Sequence, residues 1–63
     1  MELTMERKIY RVFYTADRAN GSRLEEEMVV EAVDIPAAKR IAMHYLKLWG
    51  VINPRNLQAI DNS

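Results

Sequence analysis

From Lys8 onward the chain reads as strand before it reads as anything else. The run KIYRVFYTA, residues 8–16, is rich in β-branched and aromatic residues, which suit a pleated, half-buried surface. Its two faces would be Ile9, Arg11, Phe13, Thr15 and Tyr10, Val12, Tyr14, Ala16. Neither is plainly polar, so this strand is expected to be central. LEEEMVVEAVD follows, apolar in its middle and acidic at its flanks; residues 25–33 are predicted to form a second strand, antiparallel to the first. Between the two, DRANGSR holds Asn20-Gly21, the commonest pair for a turn whose central residues need positive φ. A two-residue turn there would set Phe13 opposite Met28 and Val12 opposite Val29. A longer loop would slip that register and exchange the faces.

The period changes after residue 33. Asp34 is a good N-cap, because its carboxylate can accept from an orphaned amide. Pro36 lies in the first turn, where a missing N–H is no loss, and Gly50 is free to take the left-handed conformation that closes a helix. At about 3.6 residues per turn, Ile35, Ala38, Ile41, Ala42, Tyr45, Leu46 and Trp49 share one side, with Lys39, Arg40, Met43, His44 and Lys47 opposite. VINPRN is expected to be a loop in which Pro54 pushes Asn53 into an extended conformation. NLQAID, residues 56–61, is predicted as a short third strand. A right-handed crossover would place it beside strand one and parallel to strand two. The expected fold is α+β: a two-layer ββαβ sandwich, with a three-stranded mixed sheet of order 2-1-3 and one helix packed on one face. Residues 1–7 carry no clean period and are expected to fray, leaving the 63 residues as a single small domain.

Composition narrows what such a domain can do. Nine Lys plus Arg balance nine Asp plus Glu, whereas dedicated nucleic-acid binders are usually basic. There is no cysteine, so no disulfide staples a chain near the lower size limit for independent folding. Burial and chain entropy nearly cancel at this size, and self-association as a homodimer is the resulting expectation. No apolar run approaches the roughly 18 residues of a membrane span, and MELTMERK is too polar for a signal peptide. A cytoplasmic location with no membrane contact is expected.

Enzyme signatures are absent. Gly21 and Gly50, the only glycines, are explained by a turn and a cap rather than a phosphate loop. Ser22 and Ser63 lie in expected loops without a local base. His44 is the only histidine, and no His/Asp/Glu cluster has metal-site spacing. Glu25, Glu26 and Glu27 crowd carboxylates, but neighbouring strand residues point to alternate faces, and a two-layer domain this small can hardly enclose a pocket. Neither catalysis, nor a cofactor, a metal or a small-molecule substrate is expected.

Surfaces remain. Lys39, Arg40, His44 and Lys47, with Met43 among them and Arg55 in the following loop, would be either a solvated helix back or a contact for phosphates or an acidic partner. Phosphate binding would be strongly salt-dependent. Glu25, Glu26, Glu27, Glu31 and Asp34 gather on one segment, with Lys8, Arg11, Arg18 and Arg23 on or beside its hairpin partner. Cross-strand pairing and edge protection account for them, the rival being an acidic docking surface. The uncovered sheet face is the stronger signal. One helix covers one side, so either Ile9 and Phe13 or Tyr10, Val12 and Tyr14 must face outward, with Val29, Glu27 and Glu31 as candidate interface neighbours. An apolar patch on so small a domain implies a partner or a second copy. Outward tyrosines would also suit base stacking, but neighbouring glutamates would repel phosphates.

The hairpin followed by a helix, residues 8–48, resembles in layout the arm-binding domains of phage-type recombinases, which lay a small three-stranded sheet on DNA. The acidic second strand and the strand after the helix depart from that pattern and turn the expectation away from DNA. Compact, neutral, cysteine-free single-domain chains are similar in type to phage-encoded accessory proteins and inhibitors. The expected function is a non-catalytic protein-interaction module, self-associating or docking on a host protein through its open sheet face. The alternative is a small nucleic-acid-binding domain using the basic helix face.

Overall fold

A computed structural model describes residues 6–63, in which β1 (Lys8–Asp17), β2 (Arg23–Ala32), α1 (Ile35–Leu48) and β3 (Ile52–Asp61) follow one another. The sheet is three-stranded with the order β2-β1-β3, and the helix lies on one side of it. Most of the expected fraying segment, residues 1–5, lies outside the described residues.

β1 and β2 pair without a break, from Lys8 opposite Ala32 to Asp17 opposite Arg23. Val12 therefore faces Met28 and Phe13 faces Glu27, one residue away from the register of a two-residue turn. The loop explains the slip. Gly21 has φ 88° while Asn20 stays out of the positive region. The Gly21 amide donates to the Arg18 carbonyl (2.9 Å), and the Arg18 amide donates to the Ser22 carbonyl (2.8 Å). This is a three-residue hairpin loop in which a left-handed glycine supplies the bulge. Asn20 contributes its side chain instead, Oδ1 accepting from the amide (3.0 Å) and the hydroxyl (2.7 Å) of Ser22. Met28 and Val30 consequently share a face with Tyr10 and Val12, while Glu27, Val29 and Glu31 share the other with Ile9, Arg11 and Phe13.

β3 pairs antiparallel with β1, from Tyr10 opposite Asp61 to Asp17 opposite Ile52. It runs in the direction of β2, as the crossover required, but β1 separates the two, so both ladders are antiparallel and the sheet is wholly antiparallel rather than the mixed one expected. The strand is longer than its pattern predicts, because residues 52–55 join it. Pro54 does not hold Asn53 extended: φ there is 50°. The ladder shifts register between Phe13 and Thr15 and again between Thr15 and Asp17. At each shift sits a left-handed asparagine, Asn53 or Asn56 (φ 56°), the residue type that tolerates this conformation best after glycine. Asn53 Nδ2 donates to Asp17 Oδ2 (3.2 Å), which holds the chain to β1 through the bulge.

The helix follows its local signals. Asp34 Oδ1 accepts from the Ala37 amide (2.9 Å). At the other end the amides of Gly50 and Val51 donate back to the carbonyls of Lys47 (3.1 Å) and Leu46 (2.9 Å), the double closure that a left-handed glycine (φ 77°) permits. Ala37, Ala38, Ala42 and Leu46 are buried, the three alanines meeting Tyr10, Val12, Val30 and Ala32 from the sheet. Val12 and Leu46 are fully buried, each stabilising by about 1.5–3 kcal/mol on area alone. The expected apolar side needs correction at Ile35, Tyr45 and Trp49, which are exposed. The buried arc centres on Ala38, Ala42 and Leu46. The flanking row Ala37-Ile41-Tyr45-Trp49 passes from buried through half-buried to exposed along the helix. Met43, expected on the solvated back, is half-buried.

Candidate interaction surfaces

Of the two possible outward sets, the sheet turns out Ile9 and Phe13. Tyr10 and Val12 are 4% and 0% exposed, so these two residues, expected as interface candidates, belong to the core instead. Tyr14 is on their side of the sheet and half-buried. Burial, and secondly the charge of Glu26 opposite it, raise its phenol above the ordinary range.

On the uncovered face Arg11 occupies the middle. Val29 flanks it on β2 and Ile60 on β3, while Ile9 and Phe13 precede and follow it on its own strand. Its guanidinium donates to Glu27 Oε1 (3.1 Å) and its Cζ sits 5.9 Å from the Phe13 ring centre. Ile9, Val29 and Ile60 are 37%, 60% and 53% exposed, an apolar ring about one ion pair. Ile60 is the member that its sequence did not single out; the sign available was its place two residues beyond Gln58 in an alternating strand. Toward the hairpin the same face becomes acidic, with Glu25 and Glu27 beside Thr15, Asn56 and Gln58.

The expected cross-strand charge pairing is partly present. Arg11 pairs with Glu27, and Arg7 reaches Glu31 at 3.9 Å. Lys8 turns to Asp61 on β3 (3.9 Å), and Arg18 bonds the Ser22 hydroxyl and the Arg23 carbonyl. Exposed pairs of this kind contribute about 0–1 kcal/mol each. Among the described residues, Glu25 and Glu26 have no cation within 4.0 Å.

The helix back presents Lys39, Arg40, His44 and Lys47, all exposed. Arg55 does not join them: its Nη2 lies 3.1 Å from Asp17 Oδ1 and its Nη1 donates to the Asn53 carbonyl (2.9 Å). Hydrogen bonds from Asn53 and then Arg55 hold the Asp17 carboxyl below its ordinary range.

A third surface was not legible in the sequence. Where the helix row leaves the sheet, a groove opens between α1 and β2, with Met28, Val29 and Val30 on one wall and Ile41, Tyr45 and Trp49 on the other. Tyr45 and Trp49 stack at 5.6 Å between ring centres, tilted by 31°. Arg40 and His44 form its outer rim, with Arg7 and Glu31 also lining it. Among the described residues, no group of acidic or histidine side chains is arranged to hold a metal ion, and no helix is long and apolar enough to cross a membrane.

No protein-family model matches the sequence, and no curated protein or solved structure matches it either.

Proposed function

We propose that this chain is a non-catalytic protein-interaction module that pairs with a second copy of itself through the uncovered face of its sheet. The observation that carries this reading is the ring of Ile9, Phe13, Val29 and Ile60 around the Arg11–Glu27 pair. Interface centres combine apolar contacts with arginine and aromatic anchors. The face also suits itself: a two-fold axis passing between Arg11 and Glu27 sets each cation over the other copy's carboxylate and apolar residue over apolar residue. A single small core is marginal alone, so covering this face adds stability where the domain has least.

Val29→Asp and Ile60→Asp change residues more than half exposed, and each should leave the fold intact while reducing a dimeric sedimentation coefficient to that of one chain. A wild-type chain that sediments as a single copy at every concentration, or two variants that both remain dimeric, would overturn the reading. A second reading attaches to Lys39, Arg40 and Lys47, with His44 beside them, whose exposed cations have no carboxylate within 4.0 Å among the described residues: a helix face that binds the phosphates of nucleic acid.

A further inference from the structure

The two outer edges of the sheet are unlike each other. β3 is interrupted twice by left-handed asparagines and contains Pro54, features that block a further strand from adding. β2 runs regularly over ten residues without proline, glycine or bulge, and among the described residues nothing pairs with its outer edge. The Arg18-to-Ser22 bond fixes which groups point there. Even-numbered residues of β2 bond to β1, so the amides and carbonyls of Glu25, Glu27, Val29 and Glu31 turn outward, because bonded and non-bonded pairs alternate in an antiparallel ladder.

A strand laid on that edge would meet different chemistry on its two sides. On the helix side lies the apolar groove of Met28, Val30, Ile41, Tyr45 and Trp49, with Arg40 at its rim discouraging a cation. On the open side lies the row Glu25, Glu27, Val29, Glu31. The geometry points to β2 as a docking edge for an extended segment of a partner protein in which basic residues alternate with apolar ones. Main-chain bonds would supply affinity and the alternation specificity. A second copy of β2 is the poorer occupant, because pairing this glutamate-rich strand with itself brings glutamate opposite glutamate in every well-overlapped register (Glu27 with Glu27, Glu25 with Glu31 or Glu27 with Glu31 among them), and like charges across strands destabilise. The inference uses the edge of the sheet and does not depend on dimerisation through its face.

The test is a calorimetric titration of the full chain with an end-blocked peptide of alternating Lys and Val as long as β2, run on the wild type and on Ile60→Asp. The peptide should bind both proteins and slow hydrogen exchange at the amides of Glu25, Glu27, Val29 and Glu31. Binding should be lost when the peptide's β2-facing amides are N-methylated or its lysines are replaced by glutamates. It should weaken in Trp49→Ala and in the double variant Glu25→Lys, Glu31→Lys. No binding by either protein overturns the proposal. So does binding indifferent to N-methylation, which would be charge attraction without strand pairing. Slow exchange at those four amides without peptide, abolished by dilution, would give the edge to a second copy and overturn it as well.

Discussion

Asp17 is the residue on which the third strand's attachment turns. Its two oxygens accept from Asn53 Nδ2 (3.2 Å) and Arg55 Nη2 (3.1 Å), tying β1 to the part of β3 where ladder bonds are irregular. Both partners favour the charged carboxylate, so its pKa is lowered. A carboxyl whose folded value lies below its ordinary value of about 3.9 stabilises the fold above that value and ceases to do so as pH falls through the lowered one. Asp61 acts in the same direction through bonds from the amide and hydroxyl of Ser63. Asp17→Asn should therefore lower the thermal midpoint at neutral pH, and its deficit relative to wild type should shrink as the pH drops below about 4. A deficit that stays constant down to acid pH would mean that geometry rather than charge holds the strand.

Among the elements, the helix was the most legible because its signals are local. Asp34, Pro36 and Gly50 each act within a turn of their own position, and each does in the structure what its chemistry suggests. Gly50 isolates the backbone contribution, since a Cβ built on it meets nothing within 4 Å. Gly50→Ala should cost about 1–2 kcal/mol, the strain of a left-handed alanine, read as a lower urea midpoint with an unchanged slope; a neutral substitution would show that the helix end rearranges freely. The hairpin register was less legible, because it hangs on whether one asparagine or only the following glycine takes positive φ. Once Gly21 alone does, the even residues Met28, Val30 and Ala32 fall beside Tyr10 and Val12, and that match decides which face of β1 the helix covers. The extent of β3 was not legible at all from Asn-Pro-Arg-Asn. Its bulge at Asn53 is held by Asp17, distant in sequence. Likewise Tyr45 and Trp49 fit the apolar helical period, yet they stand exposed where their row opens into the groove beside β2, a geometric fact no periodicity contains.

At the scale of the whole molecule a formal net charge of zero is a sum over separated surfaces. The helix back is cationic, β2 is acidic, and the uncovered sheet face pairs its charges at Arg11–Glu27 and Arg55–Asp17. A polyanion approaching the helix back would meet Lys39, Arg40 and Lys47 at short range, and beyond them a field cancelled by Glu25, Glu26, Glu27 and Glu31. Few phosphates can be neutralised by so small a patch, so counterion release supplies little affinity. Lys47 has a sufficient role in any case, since a cation in the last turn complements the helix's negative end. A gel-shift titration with a short duplex and with a single strand at about 50 mM salt should show no retardation by the wild-type chain. Retardation that disappears in the triple variant Lys39→Ala, Arg40→Ala, Lys47→Ala, and that weakens steeply with added salt, would move the function from the sheet to the helix. Retardation that survives the triple variant would instead implicate cations elsewhere, with Arg18 and Arg23 at the hairpin the next to change.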